Sequence, residues 1–276
     1  MNQLELTSTL KNAFHEDIGM GDLTSESVFT ENQQGKGIYT SKADGVLAGL
    51  DAVIAGYNLL DPGVTVTLHK KDGDFVKKGD IIGEVEGSIR ILLTGERVIL
   101  NLLQHLSGIA TSTRNVVDLL DDPTIAVADT RKTLPGLRSL QKYAVRCGGG
   151  KNHRFRLDDG IMIKDNHIKA AGSIKAAVEM VQKHAGHMVK VEVETETEEQ
   201  VLEAVAAKAD VIMLDNRSPQ EVKKLINIIP DDIVVEVSGG ITPQNIGSYK
   251  NCGANVISLG WLTHSVKALD ISFNLQ

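Results

Sequence analysis

The segment 129–138, which reads DTRKTLPGLR, brings an acid, a hydroxyl and adjacent cations together within a few residues. The apolar run from Ile125 to Ala128 precedes it and is typical of a buried parallel strand. Pro135 and Gly136 then predict a turn. Charged side chains therefore stand just past the end of a buried strand, which is where α/β folds carry out their chemistry.

The surroundings of this segment are cationic although the protein as a whole is acidic. Between Thr130 and Lys169 there are ten Lys or Arg and three Asp or Glu, whereas the whole chain has 29 basic and 36 acidic residues. A cationic island in an acidic protein indicates a small anionic ligand and argues against nucleic acid, which requires a broad basic face. The side chains expected near strand ends are Arg131, Lys132, Arg154 and Lys164, with His153 beside Arg154. Because arginine binds carboxylate and phosphate through paired hydrogen bonds, the cluster predicts a polyanionic substrate.

Two carboxylates, Glu194 and Asp215, are expected at the ends of consecutive strands. Carboxylate oxygens beside a phosphorylated ligand suit Mg²⁺, which is commonly shared with substrate phosphates. Alternation along the strand puts Glu192 and Glu194 on one face, and acids are unusual in the core of a small barrel, so this placement favours a site. The alternative is that these acids only balance the cationic cluster.

Two glycine-containing turns follow the last two predicted strands. They consist of Ser238, Gly239 and Gly240, and of Ser258, Leu259 and Gly260. Glycine lets main-chain N–H groups approach a phosphate closely, and a following helix N-terminus adds its dipole. Since βα barrels often bind phosphate after their last strands, the two turns together predict a phosphate site.

The elements that must position these residues are strands that alternate with helices in the second half of the chain. Apolar runs end at Lys164, Glu194, Asp215, Ser238 and Gly260, and the run before Asp129 is the first of the series. The later ends are about 20 to 35 residues apart, which is the spacing of βα units. The pattern predicts a barrel whose active site lies at the carboxyl ends of its strands.

The first half of the chain has a different pattern, with strand and tight-turn signals over residues 35–90. From Thr94 onwards, apolar residues recur every four positions and predict a helix that Thr94 caps and Gly108 interrupts or bends. Arg97 would lie in the first turn, against the helix dipole, which suggests a cation aimed at an anion; the alternative is a surface arginine. The segment from Glu16 to Thr24 is expected to be a loop.

Composition limits the class of protein. A length of 276 residues fits one large or two ordinary domains, and 42% apolar residues are enough for a core. No run of about 18 apolar residues predicts a membrane span, and residues 1–10 show no signal-peptide pattern. Cys147 and Cys252 fit a reducing compartment better than a disulfide framework and lack the spacing of a zinc site. We therefore expect a soluble cytoplasmic protein.

Taken together, these segments resemble the quinolinate phosphoribosyltransferase family over nearly the whole chain, from Glu16 to Ser265. The matching motifs are DTRKTxPGLR at 129–138, GGGxxHR at 148–154, IKDNH at 163–167, VEVE at 191–194, MLDN at 213–216 and SGGI at 238–241. The chain departs from the family pattern at His105, where many members have arginine, and at Val237, where they have alanine.

The resemblance implies an N-terminal α/β sandwich, residues 1–107, and an open α/β barrel, residues 108–264, with the tail 265–276 packed back on the first domain. It implies a pentosyltransferase that joins quinolinate to phosphoribosyl pyrophosphate with Mg²⁺. The products would be nicotinate mononucleotide, pyrophosphate and CO₂, on the de novo route to NAD. It also implies a homodimer or a larger assembly.

The resemblance further implies residue roles. The residues implied at the two quinolinate carboxylates are Arg131, His153, Arg154 and Lys164, with Thr130 as a further substrate contact and Arg97 reaching across from the neighbouring subunit. Lys132 would face the pyrophosphate, and Glu194 and Asp215 would bind ribose and metal, which makes these three the candidate catalytic residues. The turns at 238–240 and 258–260 would hold the 5′-phosphate.

Three alternatives stay open. A lysine at the end of a barrel strand, here Lys164, could form a Schiff base, as in an aldolase-type enzyme. A non-catalytic anion-binding protein would show the same cationic cluster. A related protein of molybdate operons has the same fold, and the intact segment 164–167 favours the quinolinate enzyme over it.

Overall fold

The computed structural model describes all residues from Met1 to Gln276. Its strands are β1 Gln34–Ser41, β2 Gly45–Val46, β3 Thr65–Leu68, β4 Phe75–Val76, β5 Ile81–Ser88, β6 Ala126–Ala128, β7 Ile161–Ile163, β8 Val191–Thr195, β9 Val211–Asp215, β10 Val234–Ser238, β11 Val256–Ser258 and β12 Ile271–Leu275. Its α-helices are α1 Gln3–Ile18, α2 Leu23–Val28, α3 Asp51–Leu60, α4 Ile89–Leu120, α5 Arg138–Cys147, α6 Asp165–Ala171, α7 Ile174–Gln182, α8 Glu198–Ala206, α9 Pro219–Ile226 and α10 Trp261–His264, and one 3₁₀ helix spans Ile246–Tyr249. The chain divides into two units, of which the first comprises Met1–Arg114, Thr133–Gly149 and Trp261–Gln276 and the second comprises Asn115–Lys132 and Gly150–Gly260.

The two compact units are composed differently from the predicted domains 1–107 and 108–264, whose boundary stays a prediction. The division between the compact units falls within α4, after Arg114, and the first unit also includes α5. Helix α5 belongs there because its apolar residues Leu140, Ala144 and Val145 are buried in the core of that unit. A short amphipathic helix shows in its sequence that it has a buried face, but not which core that face joins.

The first unit is built on a four-stranded antiparallel sheet in the order β12-β1-β5-β3. The C-terminal strand β12 pairs with β1, so the tail of the chain lies on this sheet. Helix α1 begins at a cap, where the side chain of Asn2 accepts hydrogen bonds from the first N–H groups. Leu6, Leu10 and Phe14 of α1 are about one turn apart and share one core with Tyr39 of β1. The first unit is therefore an α/β sandwich.

The predicted loop from Glu16 to Thr24 is shorter in the structure, so this prediction was wrong at both ends. Helix α1 includes its first three residues and α2 includes its last two. Gly19, with φ of 57°, ends α1. Asp22 then caps α2 by accepting a hydrogen bond from the N–H of Ser25 at 3.0 Å. The glycine and the acid are thus helix-terminating and helix-capping residues at a short connection.

The long helix α4 begins at Ile89, so the prediction that Thr94 caps it was wrong. The segment 89–93 reads IRILL, and such an apolar run does not distinguish helix from strand. Thr94 lies inside the helix and its Oγ1 donates a hydrogen bond to Asp22 Oδ2 at 3.2 Å. Arg97 consequently lies in the third turn, where the dipole of the helix start no longer argues for a function. Its side chain is 59% exposed, and its Nη2 lies 3.7 Å from Glu96 Oε1.

Helix α4 is not interrupted at Gly108, where an interruption or bend was expected. A Cβ atom at this position would lie 2.3 Å from the carbonyl oxygen of Lys267 and 2.9 Å from the Cα of Ala268. The glycine therefore permits a close approach of two main-chain segments rather than a break in the helix.

The second unit is built on a six-stranded sheet of parallel strands in the order β6-β11-β10-β9-β8-β7. Helices α6 to α9 and the 3₁₀ helix lie between successive strands along the chain, as parallel pairing requires. Strands β6 and β7 are the two edges of the sheet and do not pair with each other. The unit is thus an open βα barrel, and all the strands place their carboxyl ends at one edge. No helix in the structure combines the length and the apolar character that crossing a membrane requires.

Candidate active site

A cleft of about 470 Å³ opens at the carboxyl ends of the barrel strands. Its lining residues are Thr130, Arg131, Lys132, His153, Arg154, Met162, Lys164, Glu194, Met213, Asp215, Glu236, Ser238 and Ser258. The structure thus brings ten of the predicted site residues together in one cleft of the second unit. Gly239, Gly240, Leu259 and Gly260 follow Ser238 and Ser258 in the chain, whereas Arg97 lies in the first unit.

Hydrogen bonds that involve the main chain fix the segments carrying the cations of the cleft. After β6, the main-chain N–H of Lys132 donates a hydrogen bond to Thr130 Oγ1 at 3.0 Å, which bends the segment into a turn. Arg154 is held on the other side, where its Nη1 donates to the carbonyl oxygen of Gly160 at 2.6 Å. Burial and the nearby charge of Arg131 lower the pKa of Arg154. Two guanidinium groups that repel each other in a half-buried cleft favour an anionic ligand between them.

The next strand ends bring opposite charges together. Lys164 caps α6 after β7, and its Nζ forms an ion pair with Glu194 Oε2 on β8. Asp215 ends β9, the neighbouring strand, and its Oδ2 accepts a hydrogen bond from Asn216 Nδ2 at 2.6 Å. Burial and the negative charge of Glu194 raise the pKa of Asp215. A cationic group near Asp215 would oppose both effects.

Beneath the cations lies a layer of buried ionisable groups, formed by His153, Glu192 and Glu236. His153 Nε2 lies 3.1 Å from Glu192 Oε2 and 3.4 Å from Glu236 Oε2. The second oxygen of each glutamate is buried without a hydrogen-bond partner. His153 and Glu236 also line a second cavity, of about 500 Å³, which reaches the first residues of several barrel strands. The layer is therefore the floor of the cleft.

The two glutamates of this layer keep the imidazole ring of His153 protonated. Burial would lower the pKa of His153, but the hydrogen bonds and charges of Glu192 and Glu236 outweigh it and raise the pKa to about 10. One contact opposes the cation, since Nδ1 accepts a hydrogen bond from the N–H of Arg154 at 2.8 Å, and a proton on Nδ1 would break that bond. A neutral hydrogen bond contributes only about 1 kcal/mol, whereas buried carboxylates that lose their cation cost several kcal/mol. The cation therefore prevails.

The cleft and its floor contain two sets of side-chain atoms of the kind that bind metal ions. The atoms of His153, Glu192 and Glu236 lie within 4.8 Å of one another. However, Nε2 carries a proton in both the cation and the neutral form that the Arg154 N–H favours, so it donates to the carboxylates and would have to lose that proton before it could bind a metal. Glu194 and Asp215 suit Mg²⁺ better, because each carboxylate uses one oxygen on a neighbouring side chain and keeps the other for a ligand.

The turn after β10 has the main-chain shape expected of an anion site. Gly239 and Gly240 have φ of 88° and 65°, in the left-handed region. Asn245 fixes the turn, because its Nδ2 donates to the carbonyl oxygen of Gly240 at 3.0 Å and its Oδ1 accepts from the N–H of Thr242 at 2.8 Å. Successive N–H groups in such a turn form a concavity for anions.

The turn after β11 offers less than the sequence suggested. The N–H of Leu259 donates to the carbonyl oxygen of Ala128 at 2.9 Å, so it is already used within the barrel. Ser258 Oγ, in contrast, is buried without a hydrogen-bond partner and lines the cleft. The hydroxyl of Ser258 is thus better placed than the Leu259 N–H to receive a ligand oxygen.

Sequence reasoning missed several residues of the site. Met162 and Met213 lie within strands β7 and β9 and line the cleft, where they supply apolar surface. Glu236 precedes the glycine turn by two residues, as Glu192 precedes Glu194, and strand alternation would have revealed it. Asn216 follows Asp215 directly and has φ of 53°, which only the structure shows.

The comparisons with known proteins agree over both parts of the chain. Residues 22–107 match the N-terminal domain of quinolinate phosphoribosyl transferase, and residues 109–274 match its C-terminal domain. A protein of Bacillus subtilis named probable nicotinate-nucleotide pyrophosphorylase (carboxylating) is 55% identical over 275 residues, covering 100% of this chain and 95% of the relative.

Two solved structures are also similar to this chain over its full length. The NadC crystal structure from Streptococcus pyogenes has a TM-score of 0.97 at 43% identity and covers 100% of this chain and 98% of its own. The nicotinate-nucleotide pyrophosphorylase of Francisella tularensis has a TM-score of 0.95 at 37% identity, with coverage of 100% and 98%. With its two domains matched and a cleft of cations and carboxylates at the strand ends, the chain belongs to the quinolinate phosphoribosyl transferase family.

Proposed function

We propose that this protein transfers the phosphoribosyl group of phosphoribosyl pyrophosphate to quinolinate and decarboxylates the product. The products are nicotinate mononucleotide, pyrophosphate and CO₂, which serve NAD biosynthesis. The observation that carries the proposal is a single cleft in which Arg131, Arg154 and Lys164 lie with Glu194 and Asp215. These groups match a dicarboxylate that reacts with a phosphorylated ribose.

Quinolinate recognition would fall to the cationic side of the cleft. Arg131, Arg154 and Lys164 are the groups proposed to bind its two carboxylates, and Thr130 adds a hydroxyl. The Nε2 atom of His153 already has partners within the protein in Glu192 and Glu236, so its proposed contribution is a fixed positive charge beneath the ligand. Nicotinate, with one carboxylate, would leave part of this charge without a counter-ion, which is costly in a half-buried site.

Phosphoribosyl pyrophosphate would occupy the side formed by the last strands. Its 5′-phosphate is proposed at the turns 238–240 and 258–260, with Ser258 Oγ as an additional donor. Lys132 would face the pyrophosphate and offset the negative charge that develops as it leaves. The departure leaves an oxocarbenium-like ribose, which Glu194 and Asp215 would stabilise by their negative charge.

Decarboxylation would follow without a nucleophilic side chain. Once the ring nitrogen carries the ribose it is cationic and stabilises the electron pair that remains on the ring carbon when CO₂ leaves. A proton then replaces the lost carboxyl group. The protein contributes by holding both substrates at the reacting distance and by excluding water, which together can account for a large part of the rate.

Three further features belong to this proposal. Mg²⁺ would be held by Glu194 and Asp215 and would neutralise charge on the pyrophosphate. The protein would act as a homodimer or a larger assembly, in which Arg97 reaches the quinolinate carboxylates of the neighbouring subunit. A cytoplasmic location is also proposed.

The test of the function is incubation with quinolinate, phosphoribosyl pyrophosphate and Mg²⁺, followed by chromatography. We expect nicotinate mononucleotide to form, and comparable turnover of nicotinate would contradict the specificity for the dicarboxylate. The rival aldolase-type reaction needs a Schiff base at Lys164. The Nζ atom of Lys164 is already engaged in the ion pair with Glu194, and borohydride with substrate should therefore leave no covalent adduct on this residue.

A further inference from the structure

Asn216 is one of four non-glycine residues of the second unit with a positive φ, and among these four it is the one that directly follows a residue of the cleft, Asp215. Its φ is 53°, in the left-handed region. This region costs an ordinary residue roughly 1 kcal/mol or more, although asparagine tolerates it better than most. Such a conformation persists only where the surroundings fix it, and it is found preferentially at functional sites.

The side chain of Asn216 contacts the carboxylate at the end of β9. Its Nδ2 donates a hydrogen bond to Asp215 Oδ2 at 2.6 Å. The left-handed main chain lets this side chain turn back onto its own neighbour. The bond fixes the plane of the Asp215 carboxylate and leaves Oδ1 for a ligand in the cleft.

The main chain of Asn216 contacts the glycine turn that follows β10. Its N–H donates to the carbonyl oxygen of Ser238 at 2.8 Å. A Cβ atom on Gly239 would lie 2.3 Å from Asn216 Oδ1 and 2.9 Å from Asn216 N. The absence of a side chain at Gly239 therefore makes room for Asn216, in addition to permitting its own φ of 88°.

We infer that Asn216 is a positioning residue that sets the Asp215 carboxylate and the Ser238–Gly239 turn in one fixed arrangement. This inference rests on the proposed function, in which Asp215 serves the ribose and metal while the turn serves the 5′-phosphate. Both groups would bind the same substrate, phosphoribosyl pyrophosphate, and neither would bind quinolinate. Asn216 should therefore control the affinity for one substrate only.

The test replaces Asn216 by glycine, which adopts positive φ without cost but lacks the amide. Binding of phosphoribosyl pyrophosphate, with and without Mg²⁺, and of quinolinate is measured by calorimetry on the full-length protein. We expect Asn216→Gly to weaken phosphoribosyl pyrophosphate binding by about tenfold, the size of a lost hydrogen bond to a charged group. Quinolinate affinity should not change.

A second variant and a matched control separate this role from a structural one. Asn216→Asp keeps the size and the tolerance for positive φ but places an acceptor against Asp215 Oδ2, so it should weaken phosphoribosyl pyrophosphate binding further. Asn251→Gly removes another asparagine of the same unit with φ of 55°, which is exposed and absent from the cleft lining. This control should bind both substrates like the wild type.

The outcomes are distinct. If Asn216→Gly binds phosphoribosyl pyrophosphate like the wild type, Asn216 is only a turn residue and the inference fails. An equal loss of affinity for both substrates would also overturn it, since that result indicates a general distortion of the barrel. If instead the wild type neither binds phosphoribosyl pyrophosphate nor forms nicotinate mononucleotide, the proposed function itself is wrong.

Discussion

Several charged side chains in this cleft already form ion pairs with one another within the protein. Glu194 is paired with Lys164, and Glu192 and Glu236 hold His153. These pairs hold acids and bases together in defined places, which a cluster of mobile surface charges would not do. A dicarboxylate must therefore fit between groups whose positions are already fixed.

The floor of the cleft gives a prediction about His153 and pH. Because its pKa is raised from 6.5 to about 10, its pairing should stabilise the fold fully below about pH 6.5 and less and less as the pH rises towards 10. Glu236→Gln removes one of the two carboxylates and should lower the pKa of His153. Nitrogen-15 NMR of the imidazole across this pH range measures the change, with His153→Gln to assign the signal.

The matched control for that experiment is Glu179→Gln, which removes an exposed carboxylate of α7 in the same unit. It should leave the titration of His153 unchanged. A His153 signal that titrates near pH 6.5 in the wild type would show that the Arg154 N–H, and not the glutamate pair, decides the protonation state.

Glu194 gives a second prediction at the scale of one residue. Glu194→Gln removes a negative charge proposed to stabilise the ribose cation, so kcat should fall by about two to three orders of magnitude, as for the loss of one electrostatic group. Quinolinate affinity should change little, because its proposed ligands remain. Steady-state kinetics and equilibrium binding provide the two values. A retained kcat with a large loss of quinolinate affinity would reverse the assignment of Glu194.

At the scale of elements, the sequence predicted the barrel strands well and the helix boundaries poorly. Strand ends were predictable because apolar runs stop at charged or glycine residues, as at Lys164 and Asp215. The start of α4 at Ile89 was not predictable, because the apolar segment 89–93 leads into Thr94 without a change in the apolar pattern. The left-handed main chain of Asn216 and the pairing of Lys164 with Glu194 depend on tertiary contacts, which local sequence does not contain.

Helix α4 gives a prediction at this scale. Gly108→Ala should improve helix propensity by about 1 kcal/mol, yet its Cβ would lie 2.3 Å from the carbonyl oxygen of Lys267. Because main chain cannot give way as a flexible side chain can, overpacking should dominate and lower the free energy of unfolding by about 1–3 kcal/mol. Gly186→Ala, with nothing within 4 Å of the new atom, should leave it nearly unchanged. Urea unfolding compares them, and a more stable Gly108→Ala would contradict the close approach.

For the whole molecule, the question is whether any residue outside the second unit contributes to the active site. All residues of the cleft belong to the second unit. Arg97 belongs to the first, on an exposed part of α4. Arg97 lies in the third turn of α4 and not in its first, so its proposed role depends on the family resemblance and needs a test of its own.

Mixing variants provides that test. Arg97→Ala and Lys164→Ala should each be nearly inactive, because each would remove a proposed ligand of the quinolinate carboxylates. If Arg97 serves the neighbouring subunit, hybrid dimers contain one site with both lesions and one with neither. Free exchange should make about half of the dimers hybrids and restore about a quarter of the wild-type activity. No recovery, despite subunit exchange shown by mass spectrometry, would mean that Arg97 does not act across an interface.

The most direct test of the account is the stoichiometry of the reaction with quinolinate labelled in the carboxyl group at ring position 2. Phosphoribosyl transfer must precede decarboxylation if the ribosylated ring nitrogen stabilises the electron pair. Labelled CO₂, pyrophosphate and nicotinate mononucleotide should therefore appear in equal amounts, and only when phosphoribosyl pyrophosphate is present. Release of CO₂ without phosphoribosyl pyrophosphate, or of pyrophosphate without CO₂, would contradict the proposed chemistry of the cleft.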